Sequence, residues 1–426
     1  MKKREEERIV ALRDPKAENL CPHREFCGGC IYQGVPYETQ LADKEQQALD
    51  LFKTAGIKPA HYEPIVPSPE RYHYRNKMEY TFGDLVKDGE MTLGMHRRGS
   101  FLSIVTVDQC QLVHEDFNRI LSATLEFCKD YTKYNKKQHK GLMRNLVIRC
   151  GINTNEILIA IVTTSEEGFD ADGYTKMLQA LPIDHEIAGI LHIINDNVAD
   201  ALKCDELRVL AGRTYYNETI LGLQFQVGIF SFFQTNVHAV ERLYTDAISC
   251  ISDYADKKVF DLFCGTGTIT QAVAQKAREA VGVEIVPEAV AMAKESAALN
   301  GIDNCTFLEG DVFQVLDSLE ESPDAIIVDP PRAGISPDAL KRIAGYGVEE
   351  MVYVSCNYKS LVRDLVVLES YGYKVEHLRF YDNFPFTKHV ETVVCLSNKN
   401  AKPKDYVEIG VDAADYYNIK SAERDV

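Results

Sequence analysis

The chain has no apolar run long enough to cross a bilayer and no surplus of positive charge. Its longest uninterrupted aliphatic stretch, residues 157–162, falls far short of the roughly eighteen needed for a membrane span. The opening residues, Met-Lys-Lys-Arg-Glu-Glu-Glu-Arg, lack the apolar core of a signal peptide. A cytoplasmic protein with no membrane partner is expected. With 64 acidic against 47 basic residues the net charge is −17, which argues against a general nucleic-acid coat protein. No internal repeat or low-complexity tract is present. The remaining composition, 45% hydrophobic and 26% charged over 426 residues, leaves room for two or three domains with real cores.

The positive charge that exists is clustered. Lys133, Lys136, Lys137, Lys140, Arg144 and Arg149 follow one another with no acidic residue among them. Arg71, Arg75 and Lys77 alternate with Tyr72, Tyr74 and Tyr80. Such stretches can hold phosphates and stack bases, or can simply be solvated surface.

Twelve cysteines suggest ligands and thiols rather than a disulfide framework. Cys21, Cys27 and Cys30 fall within one short segment, the last pair flanking two glycines that let the chain wrap an inorganic centre. No second Cys-x-x-Cys completes a zinc ribbon. The nearest fourth cysteine is the distant Cys110, a pattern that favours an iron–sulfur centre over zinc. His23 leaves a zinc site open, since it could replace Cys110 there.

Residues 37–56 read as an amphipathic helix with Leu41, Ala48, Leu49 and Phe52 on one face and Gly56 as its stop. Pro59, Pro64, Pro67 and Pro69 then mark an extended connection. From residue 80 to about 228, short strands at 81–83, 91–95, 101–107, 145–149 and 156–163 alternate with helices at 115–134 and near Tyr174. This is an α+β domain with a substantial antiparallel sheet.

The C-terminal half alternates strand and helix. A strand at 259–263 runs into Cys264-Gly265-Thr266-Gly267-Thr268, and about twenty residues on, Glu284 closes the next strand. The third glycine of a dinucleotide fingerprint is missing; Thr270 holds its place. Strands at 305–308, 325–328 and 351–354 follow, the fourth leading into Asp329-Pro330-Pro331-Arg332 and the fifth into Ser355-Cys356-Asn357. A helix at 359–369, a strand near 376–380 and an antiparallel last strand at 390–396 complete the order. The fold class is α/β: a Rossmann-like methyltransferase domain of the S-adenosylmethionine-dependent type, preceded by the α+β domain. For the sheet alone a nicotinamide dehydrogenase is the runner-up. A cysteine between strand and helix sits where backbone N–H groups favour a thiolate, so Cys356 is a candidate nucleophile.

Cys21-x5-Cys27-Gly-Gly-Cys30 with Cys110, Phe232-Phe-Gln234-Thr-Asn236, Asp261-Leu-Phe-Cys-Gly-Thr-Gly267, Asp329-Pro-Pro-Arg332, Ser355-Cys356-Asn357 and His389-Val-Glu391-Thr392 recur in the order seen in one family. Residues 14–398 resemble the RNA (uracil-C5)-methyltransferases, and the cysteine pattern is similar to their iron–sulfur branch, which modifies 23S ribosomal RNA. Many of these enzymes begin with a small RNA-binding β-barrel. Only about twenty residues precede Cys21 here, so RNA capture is expected to rest on the central domain or on the substrate's shape.

The resemblance implies a division into an iron–sulfur segment (14–32), a helix and linker packing on the catalytic domain (33–65), a central RNA-binding domain (66–231), a catalytic domain (232–400) and a tail (401–426). It implies a [4Fe-4S] cluster on Cys21, Cys27, Cys30 and Cys110. It makes Cys356 the nucleophile that adds to C6 of a uracil and Glu391 the base that removes the C5 proton. Gln234, Phe263, Glu284 and Asp329 match cofactor-contacting positions for S-adenosylmethionine, with Asp311 a further candidate on the adenine side. Arg332 could steer a phosphate or orient the base. The implied partner is RNA, 23S ribosomal RNA before or during ribosome assembly, met by a monomer. A clusterless branch acting on transfer RNA, an amino-group methyltransferase and a metal-containing RNA-binding protein without activity are the rival readings.

Overall fold

The structure, a computed structural model, describes residues 2–198, 203–312, 315, 322–398 and 400. The tail at 401–426 lies outside the described residues. The chain opens with α1 (Lys2–Ala11), passes through the cysteine segment, and continues into α2 (Tyr37–Thr54) and β1 (His61–Val66). Gly56 follows α2 with φ at +79°, a left-handed conformation that glycine adopts without strain. The inward face of α2 is less apolar than its spacing implied. Ala48 and Phe52 are buried, but so are Gln40 and Lys44, whereas Leu41 and Leu49 are only partly covered.

The next elements build one sheet: β2 (Lys77–Gly83), β3 (Thr92–His96), β4 (Ile104–Thr106), α3 (Glu115–Cys128), β5 (Met143–Cys150), β6 (Glu156–Thr163), α4 (Ala171–Gln179), β7 (Glu186–Ile194) and β8 (Glu206–Gly212). Its seven strands lie in the order β4-β3-β2-β5-β6-β7-β8, antiparallel except where β6 meets β7. One face packs Ile148, Ile159 and Ile161 against Phe117, Ile120 and Leu121 of α3 and Leu178 of α4. The other face, with Leu158, Ala160 and Val162, meets the hairpin β9 (Tyr215–Ile220) and β10 (Leu223–Gly228) and the helix α5 (Val237–Ser249). The aliphatic run at 157–162 is continuous because both faces of β6 are buried. The helix expected to reach residue 134 ends at Cys128. The strand expected from residue 101 begins only at Ile104, leaving Phe101 84% exposed in the turn before it.

Both basic stretches need correction. Arg144 and Arg149 are buried, Arg144 donating to the Asn195 carbonyl at 2.9 Å and Arg149 to the Gly228 carbonyl at 2.8 Å. Tyr74 and Tyr80 are buried as well. Alternation put these side chains on the inner faces of strands and turns, so they cannot stack an RNA base. Lys137, Lys140, Arg71 and Tyr72 remain exposed.

The C-terminal half continues with β11 (Lys258–Leu262), α6 (Thr268–Ala274), β12 (Glu279–Glu284), α7 (Pro287–Leu299), β13 (Cys305–Glu309), β14 (Ala325–Val328), α8 (Pro337–Gly345), β15 (Glu350–Ser355), α9 (Tyr358–Ser370), β16 (Tyr373–Tyr381) and β17 (Glu391–Asn398). The sheet order is β1-β16-β17-β15-β14-β11-β12-β13. From β15 to β13 the pairs are parallel, and β17 runs antiparallel to both β15 and β16. Strand order reverses at β11 and β14, so their carboxyl ends open on the crevice where such sheets take ligands. The proline-rich connection supplies an unexpected eighth strand. β1 pairs with β16 at the sheet edge, where Pro64 has no missing ladder partner to satisfy.

Candidate active site

The register of the last strands brings the two catalytic candidates together. β15 pairs with β17 so that Ser355 faces Thr392, and the antiparallel sense puts Cys356 beside Glu391 at the end of that ladder. Asn357 caps α9 through its side chain and donates to the Arg332 carbonyl at 3.0 Å. The Ser360 hydroxyl donates to the same carbonyl at 3.2 Å. These bonds latch the Asp-Pro-Pro-Arg loop to the cysteine turn. Asp364 locks the loop from below, accepting from the Ile335 N–H and the Tyr353 hydroxyl, both at 2.7 Å. A Cβ on Gly334, whose φ is +79°, would stand 2.5 Å from the Asp364 carboxylate.

Electrostatics couple these groups. Burial first, then the charge of Asp329, pushes Glu391 up to about 8. Asp329 is raised to about 7 by burial and by Asp261, and Asp261 to about 7 by burial against the opposing pull of the Thr270 bond. The half-buried Cys356 thiol is pushed up to about 11 by burial, then by Glu391 and Asp329, with Arg332 pulling it back. The helix start alone would favour a thiolate. Burial among carboxylates outweighs that effect, so the thiol form prevails in the free protein.

The turn after β11 has the shape a nucleotide cofactor needs. Phe263 adopts φ of +69°, a left-handed conformation uncommon for a non-glycine residue, with its N–H on the Val283 carbonyl at 2.9 Å. Glu284 laces the turn, accepting from the Gly265 and Val286 N–H groups, each at 3.0 Å. A Cβ on Gly265 would meet nothing within 4 Å, so the turn is open above the strand ends. Gly310 donates to the Glu284 carbonyl at 2.9 Å, bringing Asp311 to the same edge of the sheet. Gln234 donates to the Tyr244 hydroxyl at 2.9 Å, and Tyr244 lies within electrostatic reach of Asp329, Asp261 and Glu391. Phe263, Glu284, Asp311 and Asp329 therefore follow or close the carboxyl ends of β11, β12, β13 and β14, Gln234 joins them through Tyr244, and Asp261 Oδ1 on β11 is buried without a hydrogen-bond partner. That orphan acceptor and the open turn fit a polar, nucleoside-bearing ligand.

Tyr244 and Asp261 were missed as contributors. Asp261 carried a signal: Thr270, in place of the third glycine, donates to its carboxylate at 2.6 Å. Tyr244 carried none, being one apolar position on an amphipathic helix.

Cys21, Cys27, Cys30 and Cys110 are all free, and they converge. Burial and then the neighbouring thiols push Cys30 up strongly, and Cys110 is raised to about 11 by burial with Cys27 and Cys21 adding to it. The Tyr80 hydroxyl, buried without a hydrogen-bond partner, lies within electrostatic reach of Cys110 and Cys27. Arg98 wraps the segment, donating to the carbonyls of Cys30 at 2.7 Å and Arg24 at 3.2 Å. Thiols gathered at such cost, with a spare donor beside them, fit a thiolate-ligated centre. His23 does not join them: its Nε2 accepts from the Gln109 N–H at 3.2 Å and lies 3.1 Å from Asp108.

A doubly wound sheet with this strand order, an acidic residue closing its second strand and an Asp-Pro-Pro-Arg loop beside the crevice defines a methyltransferase dependent on S-adenosylmethionine. The comparisons sharpen that class. Residues 222–399 match the family described as tRNA (uracil-5-)-methyltransferase. An RNA methyltransferase of Clostridium acetobutylicum is 50% identical over 385 residues, covering 90% of this chain and 84% of the relative. Another from Clostridium tetani is 46% identical over 387 residues, covering 90% and 85%. Among solved structures, the tRNA (uracil-54, C5)-methyltransferase of Pyrococcus abyssi in complex with S-adenosyl-L-homocysteine superposes with a TM-score of 0.71 at 25% identity, covering 87% of this chain and 86% of that one. The chain belongs to the RNA methyltransferase family of these relatives. No helix among the described residues is long and apolar enough to cross a membrane.

Proposed function

We propose that the protein methylates C5 of a uridine in RNA through a covalent adduct on Cys356. The observation that carries this reading is the ladder register that sets Cys356 beside Glu391 at the rim of the cofactor crevice. Uracil C5 is a weak nucleophile. Once the Cys356 thiol has lost its proton to solvent, addition of the thiolate to C6 forms an S–C6 bond and moves the electron pair of the C5–C6 double bond into an enolate, which makes C5 nucleophilic. S-adenosylmethionine, which Gln234, Phe263, Glu284, Asp311 and Asp329 would hold, would supply the methyl group to C5 and leave as S-adenosylhomocysteine as its methyl–sulfur bond breaks. Once the C5–methyl bond has formed, Glu391 takes the C5 proton and the S–C6 bond breaks, which restores the aromatic base. Arg332 opposes the negative charge on both Cys356 and Glu391. A stacked uridine cannot reach Cys356, so the substrate base is flipped or looped out. Phe101 and Phe232, 84% and 71% exposed, offer rings on which bases can stack.

The target proposed is 23S ribosomal RNA, on the strength of the cysteine pattern. Transfer RNA is the second reading, favoured by the solved neighbour, which is named a tRNA (uracil-54, C5)-methyltransferase. Cys21, Cys27, Cys30 and Cys110 would hold a [4Fe-4S] cluster, whose thiolate ligation would tie the segment to the central sheet.

Tritium release from RNA carrying 5-tritiated uridine, with S-adenosylmethionine present, tests the reaction. Release by the intact protein and none by Cys356→Ala is expected; release by Cys356→Ala would show C5 substitution without the cysteine adduct, and methyl transfer to RNA without tritium release would leave an amino-group mechanism. Mapping 5-methyluridine in ribosomal and transfer RNA from cells lacking the protein separates the two targets.

A further inference from the structure

Two cysteines outside both sites meet a histidine that is already oriented. Cys250 follows the last turn of α5, and Cys395 on β17 pairs across the ladder with His377 on β16. The two sulfurs are joined as a disulfide, with Cα atoms 5.8 Å apart. His377 Nδ1 lies 3.8 Å from the Cys395 sulfur, and His377 Nε2 lies 2.9 Å from a carboxylate oxygen of Glu63 on β1. Sulfurs and Nδ1 all lie within 4.8 Å of one another, and the three residues are half-buried. A carboxylate only accepts, so in the neutral imidazole the hydrogen sits on Nε2 and Nδ1 presents its lone pair to the sulfurs. A disulfide offers this lone pair no proton. Two thiolates and a neutral imidazole are instead the donor set of a borderline-soft divalent cation, and a carboxylate behind the imidazole is the usual second contact of a metal-bound histidine.

We propose that Cys250, Cys395 and His377 form a zinc site in the reduced protein, with Glu63 fixing the imidazole and water completing the tetrahedron. Loading balances in two steps. A thiol or phosphine reductant supplies two electrons, and with two protons from water the disulfide becomes two thiols. The cation then displaces both thiol protons to water as two Zn–S bonds form, leaving the centre neutral. The site joins the end of α5, which carries Tyr244, to the strand that begins at Glu391, about 13 Å from Cys395 along the strand at the usual rise. It is therefore a staple beneath the active site, separate from the Cys21 cluster and independent of the reaction assigned above.

Cobalt is the probe. Full-length protein, purified without oxygen and reduced with a phosphine, is titrated with Co2+ and followed by the sulfur-to-cobalt charge-transfer band. One equivalent of band, displaced by one equivalent of Zn2+, is expected. Cys250→Ser and Cys395→Ser should each lose it while keeping their iron content and circular dichroism. Glu63→Gln, on a half-exposed side chain that leaves the core untouched, should weaken zinc binding 10- to 100-fold. Absence of a band in the reduced protein, sulfurs that stay joined under the reductant, or a band that survives both Cys250→Ser and Glu63→Gln would overturn the site.

Discussion

Cys356 shares a small volume with Glu391, Asp329 and Arg332, and each of them changes its reactivity. Since burial and carboxylate charge hold the thiol near 11, only a small thiolate fraction exists near neutral pH. The sign of each neighbour's effect follows. Glu391, raised to about 8, is charged above that pH and disfavours the thiolate; Arg332 favours it. In Glu391→Gln the anionic neighbour is gone, so Cys356 should react faster with iodoacetamide at pH 9, by up to about tenfold for each unit its pKa falls, while turnover stops at the methylated adduct. Arg332→Gln should slow the same alkylation. Mass spectrometry of the Cys356 peptide reads both, and slower labelling in Glu391→Gln would contradict the coupling. Little of this was legible beforehand. A strand-to-helix cysteine points to a thiolate from local geometry alone, whereas the carboxylates that reverse the effect arrive from β14 and β17.

The element that everything else grips is the loop at 382–390 between β16 and β17. Lys44 of α2, 1% exposed, reaches Asp382 at 2.6 Å and the Phe384 carbonyl at 3.2 Å. Gln40 accepts from the Phe386 N–H at 3.2 Å, and Asn236 donates to the Asn383 carbonyl at 2.8 Å. Ile31 and Tyr32, directly after Cys30, both donate to the Phe386 carbonyl, at 2.9 and 3.1 Å. Tyr74 adds a bond to the Pro385 carbonyl at 3.1 Å. The loop leads straight into Glu391, so these contacts set where the proposed base stands. Lys44→Met leaves the buried Asp382 without its cation and should cost about 3–5 kcal/mol in urea unfolding. The same change in an Asp382→Asn background should cost clearly less, and equal costs would show that the pair is not what Lys44 serves. A signal for Lys44 did exist: it stands in the stripe Gln40, Lys44, Ala48, Phe52, where a charge at helical spacing among buried positions calls for a partner. Nothing local named Asp382, which is distant in the chain and follows a strand rather than a motif.

Across the whole molecule, the cysteine segment touches both halves. Cys27 bridges to Arg97 beside β3, and the residues after Cys30 dock on the loop before Glu391. A centre held by Cys21, Cys27, Cys30 and Cys110 would thus brace the central sheet and the catalytic loop together, with no electron transfer in the reaction. Cys27→Ser is expected to lose iron and RNA affinity in parallel; iron-free protein that binds RNA normally would remove this role. Alternation and turn residues made both sheets legible, because each strand's period reports the faces it buries. They did not reveal β1, whose prolines suit an edge strand as well as a linker, nor the inward turn of Arg144 and Arg149, which depends on the strand they occupy. The most direct test of the central claim is covalent capture. RNA containing 5-fluorouridine replaces the C5 proton with fluorine, so Glu391 has no proton to remove and the adduct on Cys356 should persist. With S-adenosylmethionine present, one RNA-linked product per chain at Cys356 is expected, absent in Cys356→Ala. An adduct that forms equally in Cys356→Ala, or none with RNA that the intact protein methylates, would contradict the account.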